Sequence, residues 1–234
     1  MIIRPGSDVG TTSLVQPPLH PEAADTAGAI ADYDRLTVDL AADDDGEMQR
    51  WRPATVPALA IVGECGSGKT VTAQNAAAQF ARAHWAVHIA ACYDEYGQFA
   101  DWPNVRAVAV RPTEQFGLVN YLADLLWQRL RVNARHAPAV LVVDSLCEVV
   151  KNVDVAGLDE LLRLGMRARI HVLATSYDDR LVSAEIRDKL ATLLLRRRDY
   201  GSMAHFEADK RRFAQRDLAV LRPARSSYGP VAVN

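Results

Sequence analysis

The stretch Gly63-Glu64-Cys65-Gly66-Ser67-Gly68-Lys69-Thr70 constrains this chain more than any other feature. It has the spacing GxxxxGK[ST]. Glycines at such positions let successive backbone N–H groups curl around an anion with no Cβ in the way. A helix that starts at once after the loop points its positive end at the same anion. Both flanks meet this requirement. Ala58-Leu-Ala-Ile-Val62 is a short apolar run that reads as a buried strand, and Thr70 to Ala83 is Ala-rich, free of Gly and Pro, and reads as a helix. Gly63, Glu64, Cys65, Gly66, Ser67 and Gly68 are therefore expected to cradle phosphates, with Lys69 reaching the β- and γ-phosphates and the Thr70 hydroxyl binding Mg²⁺. The expected cofactors are ATP and Mg²⁺. Cys65 reads as a residue used for its backbone.

Downstream, strand and helix patterns alternate. Trp85 to Cys92, Val105 to Val110, Ala139 to Val143, Ile170 to Ala174 and Leu190 to Leu195 read as strands. Thr113 to Arg135 places Phe116, Val119, Leu122, Leu125, Leu126 and Leu130 at helical spacing, and Val155 to Ala168 reads as a further helix. Alternation of this kind predicts an α/β fold with a mainly parallel sheet and helices on both faces. Val140-Leu-Val-Val-Asp144 is an apolar strand ending in an acid, so Asp144 is expected to complete the Mg²⁺ shell beside Thr70. His171 lies in an apolar strand and reads as packed, and the four tryptophans read as packing residues.

The first 56 residues differ from the rest. They hold the Pro17 to Pro21 stretch and the acidic run Asp43-Asp44-Asp45, and their one strand signal is Leu36 to Leu40. The acidic run reads as a solvated loop, with an autoinhibitory arm as the sharper alternative. At the other end, Met203 to Phe206 and Leu218 to Leu221 read as edge strands or a hairpin. A net charge of −2 over 234 residues excludes coating nucleic acid by bulk charge and leaves room for a local basic patch. The three cysteines are unpaired in spacing, which indicates neither a disulfide framework nor a zinc site. No apolar run approaches the roughly 18 residues needed to span a bilayer, so a cytoplasmic protein with no membrane segment is expected.

The block Leu161-Leu-Arg-Leu-Gly-Met-Arg-Ala-Arg-Ile-His-Val-Leu-Ala-Thr-Ser176 resembles the sensor-strand region of FtsK/SpoIIIE-type DNA translocases, in the wider FtsK–HerA group. The run Ile186 to Thr192, leading into Leu193 to Arg196, is similar to the helix-to-strand step that follows in that family. The resemblance covers roughly residues 57–198. It implies a RecA-like P-loop NTPase core working as an ATP-driven ring, usually a hexamer, on double-stranded DNA. It also implies a role for Thr175 near the γ-phosphate. The division expected along the chain is an acidic, loosely structured segment over 1–56, an ATPase core over 57–200, and edge strands with a tail over 201–234.

The chain departs from the family pattern at telling places. Ser145 follows Asp144 where the family has the Glu that activates water. Ser176 stands in place of the sensor Gln, Leu193 in place of an Arg, and Cys92 to Gly97 in place of an Asp-Pro-Lys-Gly turn. Each loss touches hydrolysis or coupling and spares nucleotide binding. Glu95 is the preferred substitute base, since it follows the second strand at the end where the phosphate loop lies; Glu148 is the weaker candidate. Arg163, Arg167 and Arg169, then Arg196-Arg-Arg198 and Lys210-Arg-Arg212, are the candidate phosphate-contacting clusters; Arg163, Arg167 or Arg196 could instead reach a neighbouring subunit's γ-phosphate. Three readings stay open. The first is an ATPase acting in DNA translocation, transfer or packaging. The second is a nucleotide-binding regulatory or assembly module with little turnover. The third is a small-molecule P-loop kinase with Asp94 or Glu95 on the acceptor hydroxyl. Strand order separates the third, because a RecA-like sheet inserts another strand between the phosphate-loop strand and the second strand.

Overall fold

The computed structural model describes residues 25–42, 48–132, 134–177, 183–196 and 217–222. A short helix α1 (Thr26–Ala31) and an antiparallel hairpin of β1 (Val38–Ala42) and β2 (Met48–Trp51) lead into the main sheet. The sheet is built from β3 (Ala58–Gly63), β4 (Ala86–Ala91), β5 (Val105–Ala109), β6 (Ala139–Asp144), β7 (Ile170–Ser176), β8 (Ala191–Arg196) and β9 (Asp217–Arg222). Its order is β5-β4-β6-β7-β3-β8-β9. Strands β3 to β8 pair in parallel, and β9 closes one edge antiparallel to β8. Two strands, β7 and β6, lie between β3 and β4. This meets the expectation that in a RecA-like sheet the phosphate-loop strand and the second strand are not neighbours.

Residues alternate across the strands, so each strand supplies two cores. On one face Leu59, Ile61, Val87 and Ile89 pack against Phe80, Ala73 and Ala77 of α2 (Lys69–Arg82) and against Trp51 of the hairpin. On the other, Ala60, Leu141 and Val143 pack against Leu118, Leu122 and Leu126 of α3 (Pro112–Arg131). Leu158 and Leu161 of α5 (Val155–Leu164) join the same core. The short α4 (Leu146–Val149) and α6 (Ala184–Arg187) fill turns that the periodicity of the sequence did not show. The helix expected over Val155 to Ala168 tightens to 3₁₀ geometry from Gly165 to Ala168. Helix α3 starts at Pro112 rather than Thr113, because Glu114 accepts the backbone N–H groups of Val110 and Arg111 and caps the turn one step earlier.

The amino end of the sheet is held by His171. Its Nδ1 lies 3.2 Å from the Pro57 carbonyl and its Nε2 2.9 Å from the Tyr33 hydroxyl. A carbonyl only accepts, so Nδ1 carries the proton and the Tyr33 hydroxyl donates to Nε2. Burial pushes the His171 pKa down to about 4. Arg169 sits at the same end. Its guanidinium lies 4.2 Å from the centre of the Tyr33 ring and donates to the Ile30 and His136 carbonyls. The surface role expected of Arg169 is thus replaced by an internal one. Trp51, Trp85 and Trp102 are buried as expected, whereas Trp127 is 40% exposed and donates to Glu160. The acidic run at 43–45, the strand read at 203–206, Arg197, Arg198 and the cluster at 210–212 lie outside the described residues.

Candidate functional site

Strand β3 delivers its last residue, Gly63, into a tight turn that closes where α2 begins at Lys69. Gly66 (φ 77°) and Gly68 (φ 87°) occupy the left-handed region, where a side chain is strained. Gly63 is needed for a different reason: an added Cβ would lie 2.3 Å from the Leu195 carbonyl oxygen of β8. The Ser67 hydroxyl is buried inside the loop with no partner among the described residues. Lys69 folds back over the loop, donating to the Gly63 carbonyl (2.7 Å) and the Glu64 carbonyl (2.8 Å). Its ammonium lies 5.9 Å from the centre of the Tyr177 ring. Burial lowers the Lys69 pKa, and Cys65, Asp144 and Cys147 oppose that shift.

Strand β6 brings Asp144 to the same end of the sheet, 7% exposed and in register with Ala91 of β4. The Thr175 hydroxyl donates to the Asp144 carboxylate. The same oxygen accepts the Ser145 N–H at 2.9 Å. Register places Thr175 beside Ile61 of the phosphate-loop strand. Ser145 itself has φ 69°, an uncommon conformation for a residue with a side chain. The Thr175 contact holds its backbone there.

Tyr96 was absent from the sequence-derived site. Its ring is fully buried and its hydroxyl lies by Asp144 without the geometry of a full hydrogen bond. Burial, followed by the Asp144 charge, raises its pKa well above the ordinary phenol value. The turn that carries Tyr96 is tied to α2, because Gln74 Nε2 donates to the Glu95 carbonyl at 2.7 Å. The Glu95 side chain is exposed. Glu148 is exposed and engaged by Lys151 at 2.8 Å. Among the described residues the two carboxylates therefore differ: Glu148 is in an ion pair with a neighbour one turn away, and Glu95 is in none.

The donor set fits a nucleotide with its metal. Two loop glycines in the left-handed region and an orphaned Ser67 hydroxyl line a backbone cradle for phosphate oxygens. Thr70, the second residue of α2, and Asp144 offer one hydroxyl and one carboxylate. No cluster of three or more His, Cys, Asp or Glu side chains suited to a metal occurs among the described residues. Mg²⁺ does not require one, because it commonly takes one or two carboxylates and otherwise phosphate oxygens and water.

Many solved structures resemble this architecture, among them three ATPases. One is Thermomonospora curvata EccC (ATPases 2 and 3) in complex with a signal sequence peptide, at TM-score 0.60 and 17% identity over 82% of this chain and 38% of that one. Another is EssC (ATPases 2 and 3) from Geobacillus thermodenitrificans, at TM-score 0.57 and 13% identity over 94% and 44%. The third is the pCW3 conjugation coupling protein TcpA in monomer form with ATPγS, at TM-score 0.56 and 13% identity over 91% and 72%. The chain has the fold of these ATPases. It spans less than half the length of the EccC and EssC chains. No family model and no curated protein matches the sequence. The α/β, RecA-like fold implied by the sequence resemblance is borne out. No helix among the described residues is long and apolar enough to cross a membrane.

Proposed function

We propose that this chain binds ATP with Mg²⁺ at Gly63 to Thr70 and hydrolyses it to ADP and phosphate, as an FtsK–HerA-type ATPase in DNA translocation, transfer or packaging. The supporting observation is convergence: β3, β6 and β7 bring Lys69, Asp144 and Thr175 to one end of a sheet with RecA-like order. The conjugation coupling protein among the similar structures supports a DNA-linked role.

In this reading Lys69 releases the Gly63 and Glu64 carbonyls and turns to the terminal phosphates, where its charge is worth more than on neutral oxygens. Bound Mg²⁺ supplies neutralisation of the phosphate charge that develops during transfer. Thr70 and Asp144 hold it. Thr175 fixes the Asp144 carboxylate and the backbone of Ser145, so the acid meets the metal already oriented. Glu95 takes the proton of the attacking water. Arg196 to Arg198 supply phosphate contacts to double-stranded DNA, and a homo-oligomeric ring, a hexamer by resemblance, brings such clusters onto one surface.

A second reading is favoured by one observation. Ser145 is no base at neutral pH, and its left-handed backbone is locked by Thr175. A chain of this kind can bind nucleotide and turn it over very slowly, as a regulatory or assembly module. Steady-state ATPase activity with and without double-stranded DNA, beside calorimetric nucleotide affinity, separates the two. Stimulation by DNA that weakens with salt supports the motor; tight binding with no turnover supports the module.

A further inference from the structure

A groove of about 650 Å³ opens between β4, the edge strand β5 and α3. It shares no residue with the phosphate loop, Asp144 or Tyr96. Its volume falls among small-molecule sites, which run to roughly 300–1,000 Å³. Much of the wall is apolar, from Ala107, Leu118 and Leu125, with the Tyr121 ring at its side. Tyr121 is 54% exposed although its ring lies 5.8 Å from that of His88.

Three observations point to an anion. Arg106 and Arg129 both line the groove, and neither forms an ion pair among the described residues. Arg129 donates to the Ala168 carbonyl, which uses one of its five N–H groups. The one carboxylate on the groove among the described residues, Glu114, is already committed to Arg111. His88 is 3% exposed, and its Nδ1 has no partner among the described residues. Burial, then Arg106 and Arg129, holds the His88 pKa at about 4, so the ring is neutral near pH 7 and has an N–H to donate.

Gly117 adds independent support. It sits in the interior of α3, where glycine is a poor helix former, and an added Cβ there would meet nothing within 4 Å. No close packing demands a glycine at this position. What the missing side chain does is leave the groove open.

We propose that this groove binds a small organic anion, a carboxylate on an apolar or aromatic body. The carboxylate lies between Arg106 and Arg129, within reach of the His88 ring, and the body rests on Leu118 and Leu125 in the space left by Gly117. Guanidinium forks suit a planar carboxylate, and Tyr121 provides a face for an aromatic body.

The test uses the full chain and a matched pair of probes, 4-phenylbutyrate and 4-phenylbutylamine, in calorimetry and in amide-detected NMR. The acid is expected to bind with Kd below about 1 mM and to shift the amides of His88, Ala107 and Gly117, and the amine to bind at least about tenfold more weakly. Gly117→Leu, which fills the groove, and Arg106→Met, at an exposed position, should each weaken the acid by about tenfold or more at an unchanged melting temperature. Equal affinity for acid and amine, no binding of the acid at about 5 mM, or undiminished binding to the Arg106 variant overturns the proposal. The Arg106 variant decides the matter if the Gly117 variant does not fold.

Discussion

The Thr175 hydroxyl joins the last residue of β6 to the one that follows it: it donates to the Asp144 side chain and accepts from the Ser145 backbone. A single oxygen thus orients the candidate metal ligand and pins the left-handed residue after it. Thr175→Val keeps the branching and removes both contacts, stranding a part-buried N–H. Loss of such a pair is worth about 1–3 kcal/mol. The urea midpoint should fall accordingly with the m-value unchanged, and nucleotide affinity should drop more with Mg²⁺ than without. An unaltered midpoint contradicts the bridging role.

Lys69→Ala should weaken ATP more than ADP, because the ammonium serves the terminal phosphates. Hydrogen bonds to charged groups contribute on the order of 1.5–3 kcal/mol each. Calorimetry against both nucleotides reads the difference directly, and equal ATP affinity in variant and parent removes the phosphate-loop assignment.

Tyr96→Phe deletes a buried hydroxyl that has no hydrogen-bond partner among the described residues. Stability without nucleotide should therefore hold or rise, by up to about 1 kcal/mol. Mg²⁺–nucleotide affinity should fall if the hydroxyl serves a water or the carboxylate in the loaded site. A large loss of stability without nucleotide would show that the hydroxyl already has a partner.

Glu95→Gln should leave ATP affinity nearly intact and slow hydrolysis by about 10²–10⁴, the usual loss for a general base. Glu148→Gln should do little, since that carboxylate is held by Lys151. Parental turnover in the Glu95 variant makes Glu95 a turn residue. If the parent itself is silent, Ser145→Glu becomes the informative change, and a gain of hydrolysis identifies a motor core that has lost its base.

His88 and His171 are both held near pKa 4 by burial, against about 6.5 in an unfolded chain. Below pH of about 6.5 the unfolded chain takes up protons that the folded chain refuses, so stability falls as pH drops. The loss runs down to about pH 4 and levels off there, and a full shift corresponds to about 3 kcal/mol per histidine. Urea midpoints between about pH 6.5 and 5, above most carboxylate titrations, should show this decline. His171→Phe should remove about half of the pH dependence while lowering stability at pH 7, where Tyr33 loses its acceptor. A variant with the parental slope shows that His171 titrates normally.

Local patterns carried much of the architecture. The glycines of the loop and the apolar run into Asp144 act through their own backbone, so the residues that matter are neighbours in sequence. Strand and helix positions followed from periodicity for the same reason. Tyr96 did not, because an aromatic in a turn becomes a site residue only when the sheet sets β4 beside β6. Arg169 looked like one of three surface bases, yet contacts to Ile30 and Tyr33, more than a hundred positions away, make it internal. The helix at Thr26–Ala31 was missed because six residues, with Ala29 alone fully buried, leave almost no hydrophobic period to read.

Gly63 and Leu195 meet backbone to backbone, with no room between them even for a methyl group. Most neighbouring elements in a protein touch through side chains, which can hop between rotamers and absorb a shift. This junction has no such cushion. Strand β8 is itself paired on both sides, in parallel with β3 and antiparallel with β9. The two backbones can come no nearer, so the place of β8 sets the least space that the first residue of the loop can occupy, and any residue larger than glycine at 63 must push one of them aside.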